Sequence, residues 1–134
     1  MMDISDEDLY EFLSYCMFPN QERIKIECNN YKTQKSRELY GIYTNERLTG
    51  IIGLDYGEVE IELKHIAIKP ENRNKGFGSK LIEKVLELNK NNKLFAETDT
   101  DSVKFYEKNG FQITSLGEMY PGVERFKCYK HKND

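Results

Sequence analysis

Apolar residues recur at helical spacing behind Ser5, where Leu9, Phe12, Leu13 and Cys16 share one side. Asp6, Glu7 and Asp8 occupy the first turn of that pattern, where acidic side chains suit the positive end of a helix dipole. Pro19 ends this first helix and starts a second element, in which Ile24, Ile26, Cys28 and Tyr31 fit a helix or a strand. The period then shortens. "ELYGIYT" and "LTGIIGLDYG" are rich in β-branched and aromatic residues and flank "NER", which predicts two paired strands around a turn. "EVEIELKHIAIKP" alternates charged and apolar residues from Glu58 to Leu63, then turns almost continuously apolar at Ile66-Ala67-Ile68. This predicts a long strand, wet on one face at its start, covered on both at its end, and stopped by Pro70.

From Ser79 to Lys90 the helical period returns. Leu81, Ile82, Val85, Leu86 and Leu88 form an inner face, with Lys80, Glu83, Lys84 and Glu87 outside. Asn89 to Asn92 ends the helix, and "KLFAET" reads as a short buried strand. Asp101 is the expected N-cap of a short helix running to Lys108, and Gly110 suits a left-handed exit. "FQITSL" and "ERFKCYKH" then read as a closing antiparallel pair. Strand, loop, helix and strand in succession make a parallel βαβ unit with a right-handed crossover. The strands on either side of it read as antiparallel. The expected fold class is therefore α/β (α+β), a mixed sheet flanked by helices.

The chain of 134 residues suits one domain spanning positions 1–134, with no repeat, linker or low-complexity tract. Apolar types at 38% and charged types at 32% support a modest core and argue against disorder. The net charge of −3, with Lys and Arg spread evenly, offers no nucleic-acid footprint. A local pocket can still be positive and take an anion. Cys16, Cys28 and Cys128 are scattered and contain no CxxC spacing, which favours neither a disulfide framework nor a metal site. Such thiols fit a reducing cytoplasm. Met1 to Asp8 is acidic and unlike a signal peptide, and the near-apolar stretch Phe12 to Phe18 is too short to span a membrane. A cytoplasmic protein without a membrane partner is the expectation.

One stretch joins charge to glycine. "RNKGFGSK", residues 73–80, lies between the long strand and the following helix. Free backbone N–H groups cluster at a helix N-terminus, where the dipole adds about half a positive charge. Glycine permits positive φ there and lets a bulky anion approach the main chain. Arg73 and Lys75 add charge at the mouth, so the loop is a candidate phosphate cradle. A plain strand-to-helix turn that uses Gly for geometry is the competing reading. Gly78-Ser79-Lys80 has the wrong order for a Walker loop, and the third glycine of a dinucleotide fingerprint is missing.

"KHIAIKPENRNKGFGSKLIEKVLEL" resembles the acetyl-coenzyme-A-binding motif of the GNAT N-acetyltransferase superfamily, with Arg73, Gly76 and Gly78 in the fixed places. "ETDTDSVKFYEKNGF" resembles the same family's downstream segment, with Phe105, Tyr106, Gly110 and Phe111 matched. The two segments stand in the family's order and cover residues 58 to 111. The resemblance implies a mostly antiparallel sheet with one splayed parallel pair, and acetyl transfer from acetyl-CoA to an amine by direct attack. It implies a pyrophosphate on the amides of Lys75, Gly76, Phe77, Gly78 and Ser79, with little use of the Asn74 side chain. Arg73 would touch phosphate or brace the loop. The backbone of Ile66, Ala67 and Ile68 would pair with the pantetheine arm. A β-bulge in that strand would aim the N–H of His65 or Ile66 at the thioester oxygen. Asp101, Ser102 and Phe105 lie near the family's other cofactor contacts. Family members usually open with a strand, for which Met1 to Ile4 is short.

An alkylammonium with a pKa near 10.4 is less than about 0.1% neutral at pH 7, so a proton acceptor is needed. Glu62 stands where one branch of the family carries a catalytic glutamate, although Glu58 and Glu60 beside it weaken that assignment, since any of the three fits a solvated face. His65 has a suitable ordinary pKa, but a histidine so placed is more often a satisfied half-buried one. Tyr106 matches the family's tyrosine beside the sulfur, or is a packed aromatic. Full proton transfer from a phenol to a thiolate is uphill by roughly 2 kcal/mol, so the role expected for Tyr106 is a hydrogen-bond donor. The first 35 residues and "GEMYPGVE" would build the acceptor side, with Tyr120, Pro121 and Glu124 as wall candidates. The acceptor itself, a small amine or a peptide, is undetermined, and a homodimer is left open. A CoA-binding module without turnover and an ATP-binding regulator are the rival functions.

Overall fold

The computed structural model describes residues 4–131. It begins with two helices, α1 (Asp6–Cys16) and α2 (Gln21–Thr33). Ser5 caps α1, its hydroxyl accepting from the Asp8 amide at 3.1 Å, and Asn20 caps α2 by accepting from the Arg23 amide at 3.1 Å. The element left ambiguous by its sequence is thus a helix, with Ile24 and Tyr31 buried and Ile26 exposed. The opening strand in question, over Met1 to Ile4, falls on residues 1–3 outside the described residues and on Ile4, which lies in no strand.

Six strands form one sheet in the order β1-β2-β3-β4-β6-β5: β1 (Arg37–Thr44), β2 (Arg47–Tyr56), β3 (Glu60–Ile68), β4 (Lys93–Asp99), β5 (Gln112–Tyr120) and β6 (Val123–Lys130). Every neighbouring pair is antiparallel except β3 and β4. A tight hairpin joins β1 to β2, with Asn45 and Glu46 both at positive φ, the signature of a turn that matches strand twist. Helix α3 (Phe77–Leu88) crosses from β3 to β4, and α4 (Val103–Lys108) leads into β5.

Two apolar clusters hold the sheet from opposite faces. Leu81, Ile82, Val85 and Leu86 of α3 pack with Ile52, Leu54, Ile61, Leu63, Leu94 and Tyr106 on one side. Leu9, Phe12 and Leu13 of α1 pack with Ile24, Tyr31, Leu39, Ile51 and Ala67 on the other. Three expectations need correction. Helix α3 starts two residues earlier than its periodicity suggests and leaves Leu88 53% exposed; Asn89 ends it, bonding its side-chain amide to the Val85 carbonyl at 2.9 Å. Asp101 is not the cap of α4: Ser102 holds that place, and Asp99 Oδ1 takes the amides of Asp101 and Ser102 at 3.1 and 3.3 Å. The apolar end of β3 is not covered on both faces; Ala67 is buried while Ile66 and Ile68 are only half-buried.

That last difference follows from pairing. β3 and β4 are bonded only where Glu60, Glu62 and the residue between them face Lys93 to Phe95, and beyond Glu62 the strands part. On the other edge of β3 the register slips: Leu63 faces Leu54 and His65 faces Gly53, leaving Lys64 as an extra residue. This bulge resets the alternation, so Glu62, His65 and Ala67 lie on the α1–α2 face, while Ile61, Leu63, Ile66 and Ile68 lie on the α3 face.

Candidate active site

The parting of β3 from β4 opens a cleft of about 750 Å³. Ile66, Ala67 and Ile68 line one wall, and Asp101, Ser102, Phe105 and Tyr106 line another. Arg73, Asn74, Gly76, Phe77, Gly78 and Ser79 complete it. Thirteen of the fourteen residues expected to hold a cofactor therefore meet in one cavity; Lys75 does not line it.

The two glycines of the loop serve different needs. Gly76 has φ of +86° and caps α3, and a Cβ there would meet nothing within 4 Å. Conformation, not crowding, requires glycine at that point. Asn74 also has positive φ, at 63°, which turns the chain tightly before the helix. Gly78 is ordinary helix, but a Cβ on it would lie 3.0 Å from the Phe105 ring, so its need is close approach. Lys80 is the first residue of this turn to donate along the helix, to the Gly76 carbonyl at 3.1 Å. The amides of Phe77, Gly78 and Ser79 are thus left at the cleft without helical acceptors. Arg73 donates from Nε to the Ile68 carbonyl at 3.1 Å, and its guanidinium lies 5.8 Å from the centroid of the Tyr15 ring. It braces the loop across the end of β3.

Tyr15, Cys16 and Met17, at the end of α1, also line the cleft. Nothing in their spacing marked them for it; only the packing of α1 across β3 brings them there. Cys16 is solvent-accessible along this wall yet crowded by protein atoms, and that desolvation pushes its thiol up to about 11.

Tyr106 is buried at 6% exposure between Phe105 and Phe111, with ring centroids 5.3 and 5.2 Å away. Burial raises its pKa well above the ordinary phenol value, and no hydrogen bond is among the causes. The hydroxyl is therefore a proton-bearing group with an unspent donor, on the wall of the cleft.

A second cleft, of about 510 Å³, adjoins the first. Met17, Lys64, His65 and Glu97 line both. Arg23, Ile26, Glu27, Glu62, Leu63 and Arg125 line the second alone. Glu62 thus stands on the other side of the bulge from the glycine loop, half-buried, with Lys64 Nζ 3.7 Å from its carboxylate. Glu58 and Glu60 line neither cleft. The same holds for Tyr120, Pro121 and Glu124: the β5–β6 hairpin places them elsewhere, with Tyr120 exposed and Glu124 bonded to Ser115.

His65 belongs to a buried network that spacing did not reveal. Its Nδ1 lies 2.6 Å from the Tyr31 hydroxyl, which reaches it across Gly53; a Cβ on Gly53 would sit 2.0 Å from that oxygen. Burial raises the Tyr31 pKa, so the hydroxyl keeps its proton and donates to Nδ1. The remaining imidazole proton is then on Nε2, 3.8 Å from Glu27 Oε1. Burial pushes His65 down to about 4. Glu27 opposes this but does not win, because its carboxylate is already held by Arg37 Nη1 at 2.9 Å. Burial would raise Glu27 itself; the hydrogen bond and charge of Arg37 outweigh that and hold it below its ordinary value. Arg37 lies 5.0 Å from the centroid of the Tyr31 ring and has Asp55 3.4 Å from Nε, near in charge but outside hydrogen-bond geometry. A glycine in mid-strand was the one sequence signal of this network.

Residues 35–113 match the family model of the acetyltransferase (GNAT) domain. The chain belongs to that family. An uncharacterized N-acetyltransferase from the lysA 3' region of Bacillus methanolicus is 28% identical over 94 residues, 67% of this chain and 77% of the relative. An aminoglycoside 6'-N-acetyltransferase solved with coenzyme A is similar at a TM-score of 0.78 and 16% identity, covering 93% of this chain and 89% of that one. A Bacillus subtilis acetyltransferase in complex with CoA is similar at 0.74 and 20% identity, covering 98% and 95%. The splayed sheet of this GNAT chain is the fold of those structures. It is an N-acetyltransferase, and acetyl-CoA is the acyl donor of its family. Among its described residues, no helix is long and apolar enough to cross a membrane.

Proposed function

We propose that this acetyltransferase moves an acetyl group from acetyl-CoA to a primary amine by direct attack, with the donor in the larger cleft and the acceptor in the smaller. One observation carries the reading. Three helix-end amides, at Phe77, Gly78 and Ser79, face a cleft whose wall also holds the unspent hydroxyl of Tyr106. The amides suit a diphosphate. The open space over Gly76, where even a Cβ would touch nothing, leaves room for one. The backbone of Ile66 to Ile68, freed from β4, suits an amide-rich arm laid along it as an added strand. Acetyl-CoA supplies an acyl group activated as a thioester; the chain supplies position and proton handling.

Glu62 accepts the ammonium proton, directly or through water. It lines the acceptor cleft with partial solvent access, with Lys64 Nζ 3.7 Å from its carboxylate. His65 is a poor base by comparison: it is neutral, holds its proton weakly, and already spends Nδ1 on Tyr31. The bulge at Lys64 interrupts the ladder immediately before His65 and Ile66, which supports one of their amides as the donor to the thioester oxygen. Tyr106 holds a hydrogen bond for the departing sulfur.

Calorimetry on the full chain with acetyl-CoA and with ATP, followed by CoA release against an amine panel, tests the reading. Tighter binding of acetyl-CoA with amine-dependent CoA release is expected. Preference for ATP, or tight acetyl-CoA binding with no release across the panel, would overturn it.

A further inference from the structure

The acceptor cleft carries more charge than an amine alone calls for. It is lined by three carboxylates, Glu27, Glu62 and Glu97, and three cations, Arg23, Lys64 and Arg125. Two of the carboxylates are engaged, Glu27 by Arg37 and Glu62 by Lys64. Among the described residues Arg23 and Arg125 have no carboxylate within ion-pair distance, although Arg125 faces Asp99 across the β4–β6 ladder. Asp99 is turned to the amides of Asp101 and Ser102 instead.

Glu97 and Lys64 line both clefts and so stand at the seam where acceptor and donor must meet, with Lys64 beside the Glu62 carboxylate. Arg23, from the first turn of α2, and Arg125, from β6, line only the second cleft. Two guanidiniums from unrelated elements line one cavity, and among the described residues neither has a carboxylate within ion-pair distance. Guanidinium geometry matches a carboxylate in two parallel hydrogen bonds.

We infer that the acceptor is a small zwitterion, an amine that carries its own carboxylate: the amine goes to the seam at Glu97, with Glu62 on the same cleft to take its proton, and the carboxylate to Arg23 and Arg125. Such a molecule brings a cation to the carboxylates and an anion to the arginines, whereas a plain polyamine brings the arginines only a second cation. The transfer balances without any further reagent. The amine nitrogen gains the acyl carbon, the carbon–sulfur bond breaks, the ammonium proton leaves through Glu62 and the thiol carries a proton away.

This inference rests on the proposed acetyl transfer, and matched acceptors separate the two. CoA release is measured with lysine against cadaverine, and with glycylglycine against glycylglycinamide; each pair differs by the carboxylate. The carboxylate-bearing member is expected to have kcat/KM about ten-fold or more higher, the worth of a charge-assisted hydrogen bond. R125Q and the exposed-site R23Q are each expected to bring that ratio toward one, mainly through KM, with acetyl-CoA affinity in calorimetry showing that the variants are folded. Equal or reversed ratios with brisk turnover would overturn the zwitterion and leave acetyl transfer standing. Absence of turnover with every acceptor would overturn both.

Discussion

Gly76 and Gly78 stand two residues apart, and replacing each tests a different force. G76A forces a left-handed backbone on an L-residue, which costs about 1–2 kcal/mol; the urea midpoint is expected to fall accordingly. G78A gains helix propensity of up to about 1 kcal/mol but pushes a methyl 3.0 Å from Phe105. The stability terms nearly cancel, and weaker acetyl-CoA binding from the displaced Phe105 is the expected calorimetric result. At Tyr106 the hydroxyl has no structural partner to lose. Y106F should therefore keep its melting temperature while kcat falls by about a hundred-fold, the scale of a lost proton-handling group. Unchanged turnover would remove Tyr106 from the mechanism. The fixed glycines and the tyrosine were legible because a residue type at a set spacing is itself the requirement. Tyr15, Cys16 and Met17 were not, since a helix end touches the cleft only through how the helix lies.

At the scale of the element, β3 carries the design. Its bulge at Lys64 lets one strand serve the α3 face with Ile66 and Ile68 and the α1–α2 face with Glu62 and His65. The end of its charged–apolar alternation after Leu63 was visible in the chain. Its meaning was not, because an apolar run fits both a doubly covered strand and a cleft wall. β2 answers β3 with Gly53, which admits the Tyr31 hydroxyl to His65. G53A would put a methyl on that oxygen and should cost about 2 kcal/mol, the scale of core overpacking, read as a lower urea midpoint. A glycine chosen only for strand flexibility would give no such loss.

For the molecule as a whole, one buried group, His65, and one half-buried group, Glu27, set the acid limit. His65 is held at about 4, below its unfolded value of about 6.5, so the unfolded chain binds more protons between these limits. Stability from this group is complete above about pH 6.5 and is lost as pH falls toward 4, on the order of 3 kcal/mol in all. Glu27, held below its ordinary value, adds a loss in the same direction once the pH falls below the usual carboxylate range. Urea midpoints should be flat from pH 8 to about 6.5 and decline below it, and H65Q should flatten the decline. A midpoint that rises on acidification would contradict the buried neutral imidazole.

By itself the sequence determined the helices other than α2, the hairpins, the βαβ crossover and the glycine loop, because each depends on neighbours within a few residues: periodicity, a turn at positive φ, a helix end with spare amides. The tertiary structure alone decided where β3 leaves β4, which wall Arg73 braces, and that Tyr31, His65, Glu27 and Arg37 form one network beside the second cleft. It alone brought Arg23 and Arg125 to one cavity. Those groups are far apart along the chain, and charge or burial at each position takes its meaning from partners that only the packing of two helices on a split sheet supplies.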